Sequence, residues 1–462
     1  MGALSTFRIA SESFAGDEAF SYFYSQRSLR DVWALFGDGM PLYYLLLKLW
    51  SALFGTSEAA LRSFSALFAT ASVPALYAFA RTLTDRWTSH VTTWFFASNA
   101  FVIYYAQYAR SYALLLFLSI CSSLLFVKAV QDQSRRFFFG YAVTTVLAVY
   151  THAFAVWLLV AHAASCAFLN RPNRPLKPLA LTYAGVLLAI TPLLFAAQNT
   201  RSSESFWLSS PSPEDLVYVF FKLSGGQEVY GLAWFALVAA VALLALRQAM
   251  REVRRYGRSI AAWRRGLVWT SILAPVVGSF AISFARPMFV ERYLLVVVPA
   301  VAVAVGIGMR AIPNARVAAA VIVLAPMLVA GNLYVLQTRE DNENWRGAAK
   351  LVVDQVQPGD GLMLNGVMGF DYYLPDHDWS RSLPGVARID PESLDPYRQP
   401  PPELTESRMT ERSATSSRVW LVTRHSVDRH TRMRQLLLDT GYLPITQRDL
   451  KGIQVDLFDR NG

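Results

Sequence analysis

From residue 61 to residue 336 the chain is a succession of apolar stretches broken by short polar segments. Stretches of about 17–25 apolar residues are long enough to cross a bilayer as helices. The pattern predicts ten, near 61–83, 89–107, 110–130, 137–151, 152–169, 178–197, 229–248, 266–285, 288–310 and 315–336. The pair at 137–169 is one continuous apolar run, divided at Thr151-His152. A single bent span there would reverse every loop downstream, so the loop charges must arbitrate.

The flanks read differently. Residues 41–55 (PLYYLLLKLWSALFG) are apolar but short and interrupted by Lys48, and 28–36 (SLRDVWALF) is amphipathic. Both suit helices lying in the membrane interface, where Trp33, Tyr43, Tyr44 and Trp50 match the headgroup layer. Beyond 336 the pattern changes to that of a soluble sequence. A helix is expected at 345–356, a turn at 357–360, a strand at 361–365 and another at 418–424. A helix at 428–440 and strand-like pieces at 442–447 and 452–458 follow, with a long loop at 384–417. Such alternation predicts a small α/β domain. The domain plan is a first outer loop with an acidic motif (1–60), a helical membrane domain (61–336) and a soluble domain (337–462).

Composition agrees. Of the 462 residues, 54% are apolar and only 16% charged, against roughly 25% charged in soluble domains. A purely soluble enzyme, a disordered chain and a disulfide scaffold are excluded. Cys121 and Cys166 both lie inside apolar runs and read as small packing residues.

The net charge of +10 acquires a meaning once it is placed on the loops. With ten spans, one set of loops carries seventeen Lys and Arg, seven of them between Arg247 and Arg265. The opposite set carries five: Arg110, Arg201, Lys222, Arg286 and Arg292. The positive-inside rule makes the first set cytoplasmic. The split supports ten spans and removes the need for a nucleic-acid partner. It also puts 1–60 and 337–462 on the outer face. Met1 to Glu18 is too polar for a signal peptide, so a first helix is expected to be missing ahead of this loop, the alternative being an N-tail that crosses unaided.

Chemistry is then sought on that face. Asp17-Glu18 offers two carboxylates in a protein poor in acids, although acids also favour a helix N-terminus for dipole reasons. Arg110, Arg286 and Arg292 lie at span ends, where charges need partners. They would either pair with acids such as Glu291 or bind an anionic group, and a bidentate guanidinium suits a phosphate. The histidines show no ligand spacing, so no metal site is read. Neither a phosphate loop nor a Gly-x-Ser-x-Gly elbow is present. Carboxylates, arginines and apolar walls together fit a reaction on a phosphate-bearing lipid. Sugar transfer from a lipid phosphate needs a base for the acceptor hydroxyl and cations for the leaving group.

These residues resemble the GT-C superfamily of membrane glycosyltransferases, specifically the glycosyltransferase family 39 type that includes protein mannosyltransferases and the aminoarabinose transferase of lipid A. The matching stretches are GDEAFS (16–21), PLYYLLLKLW (41–50), EAALRSFSAL (58–67), YAQYARSYA (105–113), FW (206–207), LSGG (223–226), RPMFVERYL (286–294) and WRGAA (345–349). They run in order over nearly the whole chain. Tyr108 stands where many relatives carry an acid, and Met40 where many carry His or a second Pro.

The resemblance implies a polyprenyl-phosphate-sugar donor, inversion at the anomeric carbon, and Asp17 as the catalytic acid residue with Glu18 beside it. The expectation is therefore an α-helical polytopic plasma-membrane glycosyltransferase with a small extracytoplasmic α/β domain. Arg110, Arg286 and Arg292 are expected to contact the donor phosphate. Tyr43, Tyr44, Lys48, Gln107, Tyr112 and His152 are expected to line the site. No cofactor is required, a divalent cation is allowed for, and the acceptor is open. A lipid-linked-sugar flippase and an inactive binding relative are the alternatives.

Overall fold

The structure, a computed structural model, describes residues 1–28, 39–170, 174–199, 210–339, 342–365, 367–377, 379–389, 410–411, 413–424 and 427–460. It divides into two compact units.

The first unit is helical. In chain order it holds α1 (Gly2–Thr6), while α2 (Gly16–Gln26) falls in the second unit. The helical unit continues with α3 (Pro41–Phe54), α4 (Glu58–Leu83), α5 (Arg86–Ala97), α6 (Ala100–Ala106), α7 (Tyr112–Asp132), α8 (Arg135–Thr151) and α9 (Val156–Ser165). Then come α10 (Leu176–Asn199), α11 (Pro213–Leu223), α12 (Glu228–Tyr256), α13 (Ile260–Ser283), α14 (Val298–Arg310) and α15 (Ala315–Thr338).

Seven helical segments among the described residues are long and apolar enough to cross a membrane. They account for seven of the ten expected spans; of the other three, 137–151 is the continuous but shorter α8, while 89–107 and 152–169 are helical but interrupted. The run at 89–107 splits into α5 and α6 because Asn99 ends one helix and caps the next, its Oδ1 accepting from the N–H groups of Phe101 and Val102. The run at 137–169 breaks at His152, which is extended (φ −165°, ψ 128°), and its second half is a short α9 between 3₁₀ turns. The run at 288–310 opens as a 3₁₀ helix, Glu291–Val297, before α14.

Burial separates the helices. In the apolar window ending α14, 83% of residues are buried, against 17% in α15. α14 can sit that deep because it is rich in Ala, Val and Gly. A Cβ on Gly306 would stand 2.4 Å from Thr92 Oγ1, and one on Gly308 would stand 2.0 Å from the Val241 carbonyl oxygen. Such small residues let helices approach closely where lipid removes the usual hydrophobic drive. α3 buries Tyr43, Tyr44 and Leu47 on one face and exposes Leu49, Leu53 and Phe54 on the other, as an interfacial helix would. The companion segment at 28–36 lies largely outside the described residues, as do Phe206-Trp207.

The second unit joins Ala10–Gln26 to the C-terminal region, so the acidic motif groups with the soluble part of the chain rather than with the rest of the 1–60 segment. The C-terminal part comprises α16 (Trp345–Gln355), β1 (Gly361–Asn365), α17 (Val367–Tyr372), α18 (Trp379–Ser382), β2 (Ala387–Arg388), β3 (Arg418–Arg424), α19 (Val427–Asp439), β4 (Leu443–Leu450) and β5 (Ile453–Asp459). The strands form one sheet in the order β2-β1-β3-β5-β4. β1 is parallel to β2 and β3, and β5 is antiparallel to β3 and β4. Alternation along β1 and β3 supplies two apolar faces. Leu362, Leu364, Trp420 and Val422 pack with Trp345, Ala348 and Val352 of α16. Met363, Val419 and Leu421 pack with Met433 and Leu437 of α19.

Candidate functional site

In the second unit, the segment before α2 is tied to the C-terminal region by polar contacts far apart in sequence. Asn342 donates its backbone N–H to Glu12 (3.0 Å) and its side-chain amide to the Ser13 carbonyl (2.9 Å). The Phe14 N–H donates to the Tyr373 hydroxyl (2.6 Å), and the buried Phe14 ring lies 4.6 Å from Tyr372. Tyr22, on α2, meets both Tyr372 and His377 with its ring.

This frame gives the two acids different situations. Glu18, fully buried, is the third residue of α2, and its Oε2 accepts from the Ala15 N–H at 3.1 Å. That is the returning half of a capping box, which satisfies a donor the helix leaves open. The same oxygen accepts from the Asn342 amide at 3.4 Å. Asp17, one residue earlier, is exposed on the first turn. A Cβ on neighbouring Gly16 would stand 3.4 Å from an Arg424 guanidinium nitrogen, so a cation flanks the start of α2. Arg424 is itself held by Glu343, at 2.7 Å through Nε.

In the helical unit a second group assembles from four places in the chain. Arg110 is 9% exposed and donates to the Tyr44 hydroxyl at 3.4 Å. Its loop is fixed from behind by Ser65, whose hydroxyl donates to the Tyr108 carbonyl (2.8 Å) and reaches that of Arg110 (3.4 Å). Arg110 and Arg292 both act electrostatically on His152. The His152 ring lies 5.8 Å from Tyr112 and 5.1 Å from Tyr293, and the Arg292 guanidinium stands over Tyr293 at 5.5 Å. Tyr112 meets Tyr105 at 4.8 Å, and Tyr105 feels both Glu291 and Arg292. The tyrosine faces and hydroxyls around two guanidiniums make a setting suited to an anion.

Not every expected residue joins this group. Arg286 is exposed on the turn after α13, its backbone N–H closing the last helical turn on Ile282. Gln107 spends its amide on the carbonyls of Leu4 and Phe7, anchoring α1. Lys48 donates to the Arg27 carbonyl at 3.0 Å. Tyr43 is fully buried, with its ring against Tyr44 and Phe64. Tyr293 and Asn342 were not singled out from sequence. Tyr293 sits inside the quoted 286–294 stretch, whereas Asn342 carries no local signal. Among the described residues no group of three or more His, Cys, Asp or Glu is arranged to hold a metal ion, and buried Glu18 is engaged with Ala15 and Asn342.

Comparison with solved structures identifies this architecture. Over 98% of this chain and 96% of the other, the fold superposes on ArnT from Cupriavidus metallidurans in the apo state, with a TM-score of 0.61 at 13% identity. The chain shares the fold of that protein. The same protein bound to undecaprenyl phosphate matches with a TM-score of 0.60 at 12% identity, covering 99% and 96%. The archaeal oligosaccharyltransferase AglB from Archaeoglobus fulgidus, in complex with an inhibitory peptide and a dolichol-phosphate, matches at 0.52 and 11% identity, over 92% of this chain and 69% of that one. In sequence, residues 38–196 match the family model of dolichyl-phosphate-mannose-protein mannosyltransferases. That stretch holds Arg110, Tyr44, Tyr112 and His152. No sequence among the curated proteins matches.

Proposed function

We propose that this chain is an inverting, multi-pass plasma-membrane glycosyltransferase that moves a sugar from a polyprenyl-phosphate donor to an acceptor hydroxyl at the outer face. The observation that carries the reading is the buried Arg110, set with Arg292 among Tyr44, Tyr112, His152 and Tyr293. It lies in a GT-C fold whose counterpart in Cupriavidus metallidurans is bound to undecaprenyl phosphate. The outward placement rests on the basic bias of the opposite loops.

Asp17 takes the proton from the acceptor hydroxyl as its oxygen attacks the anomeric carbon. The bond from that carbon to the phosphate oxygen breaks on the opposite face, and its electron pair leaves with the polyprenyl phosphate. The anomeric configuration inverts. Arg110 and Arg292 neutralise the phosphate as its charge grows, with Arg286 a weaker contact, because cations fixed in place stabilise developing charge without reorganising. Glu18 keeps α2 and its Asp17 in position. The proton transfer is worth about 10²–10⁴-fold in rate, so Asp17→Asn lowers turnover by that order while donor KM stays near that of the wild type. The assay follows label from polyprenyl-phosphate-linked sugars with the full chain in vesicles. Undiminished transfer by the variant removes Asp17 as base. A wild type that transfers no sugar from any such donor, yet moves the intact donor across the bilayer, replaces the enzyme with a flippase.

A further inference from the structure

The helical unit contains an apolar cleft of about 350 Å³ that the proposed reaction does not use. One wall is α5, through Trp87 and Trp94, and the other is α15, through Ile322 and Ala325. Its floor is laid by α12 and α14, through Val238 and Met309. The cleft exists because Gly306 and Gly308 let α14 sink against α5 and α12, while α15 stays peripheral. Trp87, Trp94 and Ile322 are all more than 40% exposed, so the cleft opens sideways, toward lipid.

One end of the cleft is basic. It lies at the start of α5, the end of α14 and the start of α15, where Arg86, Arg310 and Arg316 are all exposed. Arg310 reaches far enough to act on Asp85, the N-cap of α5, which makes the end of α14 and the start of α5 neighbours, and the short connection 311–314 keeps the start of α15 close to them. Asp85 offsets one of the three charges, leaving an excess of two. The lining from Trp87 to Phe95 runs about 12 Å along α5 at 1.5 Å per residue. A cavity of 350 Å³ holds about a dozen groups of about 30 Å³, the share of a water in the liquid and close to that of a methylene. That is the length and volume of most of one acyl chain.

We infer that this cleft binds an anionic phospholipid, one acyl chain lying between α5 and α15 and the headgroup phosphate among Arg86, Arg310 and Arg316. Charge complementarity at the mouth selects an anionic over a zwitterionic lipid, since each juxtamembrane arginine favours anionic lipid by about 1 kcal/mol, or about fivefold. The site is independent of the transfer reaction and of which leaflet the basic ends face.

Trp87 and Trp94 report occupancy directly. The full chain is reconstituted in phosphatidylcholine vesicles that carry either phosphatidylglycerol or further phosphatidylcholine with brominated acyl chains. Brominated phosphatidylglycerol is expected to quench tryptophan fluorescence more than brominated phosphatidylcholine does. The excess should vanish in Trp87→Phe/Trp94→Phe, fall about fivefold for each arginine replaced among Arg86→Gln, Arg310→Gln and Arg316→Gln, and vanish in the cavity-filling Ala325→Phe. Equal quenching by the two lipids, or an excess that survives Ala325→Phe in a folded protein, overturns the assignment.

Discussion

In the helical unit, Arg110 is almost wholly buried and its guanidinium meets a tyrosine hydroxyl. In the other unit, the exposed carboxylate is that of Asp17, and it is neighbouring Glu18 that is buried and bonded. The arginine is held by packing. Burying a cation is costly unless its surroundings are polar, and the Tyr44, Tyr112, His152 and Tyr293 set supplies that polarity before any ligand arrives. The acid is set by a helix terminus instead: the chain spends Glu18, Asn342 and Phe14 on holding α2 in place and leaves Asp17 facing out. A group that binds phosphate gains from fixed geometry. On the proposed reading, a group that collects a proton from an incoming hydroxyl must stay accessible, as the exposed Asp17 is.

The largest effects expected from this contrast, after the loss of turnover in Asp17→Asn, are on donor binding. Arg110→Lys keeps the buried charge but loses the planar fork that matches phosphate. Donor KM should rise about tenfold, the value of a charge-assisted bond of about 1.5 kcal/mol, with a smaller change in kcat. Arg286→Gln, exposed at its turn, should move KM much less. A KM unmoved by Arg110→Lys but raised by Arg286→Gln would relocate the phosphate contact to the exposed turn.

Much of this arrangement was legible in the sequence wherever the signal was local. Short apolar runs marked β1 and β3 at 361–365 and 418–424, and Thr151-His152 marked the break between α8 and α9. The Ser98-Asn99 break was hidden, because a single capping asparagine lowers the hydropathy only locally and leaves a span-length stretch apolar while ending the helix. The partnership of residues 10–26 with the C-terminal unit was hidden too. It rests on Phe14 with Tyr372 and Tyr373 and on Ser13 with Asn342, more than 320 residues away and without any periodicity. Among the site residues, Arg110, Arg292, Tyr44, Tyr112 and His152 do come together. Gln107 and Lys48 instead serve neighbouring backbone carbonyls, a use that residue type and position do not disclose.

The Glu18 side of the contrast predicts a smaller and different effect. Glu18→Gln retains an acceptor for the Ala15 N–H, so turnover should fall severalfold at most. Glu18→Ala removes it and should cost about 1–2 kcal/mol in thermal unfolding of the second unit, the range for a lost cap or an unmet buried donor. If Glu18→Gln instead abolishes turnover as fully as Asp17→Asn, Glu18 belongs to the chemistry and the contrast between the two acids fails.

The smallest effect belongs to an acid buried away from Asp17, within the same unit. Asp456, 2% exposed on β5, has Oδ2 3.5 Å from His430 Nε2, and His430 Nδ1 bonds Thr423 at 2.6 Å. Burial lifts its carboxyl to about 6, with Asp449 adding to the rise and Gln454 and Arg434 opposing it. The folded form thus holds a proton that the unfolded chain, with its ordinary value of 3.8, has already released. Stability from this group is fully present below about pH 4, declines as pH rises toward 6, and stays lost above. Asp456→Asn, which cannot ionise, should flatten that decline and raise the unfolding temperature at pH 7 relative to pH 4, compared with the wild type. His430 lies against the same carboxylate, so His430→Gln checks the assignment: the decline persists in that variant if Asp456 drives it.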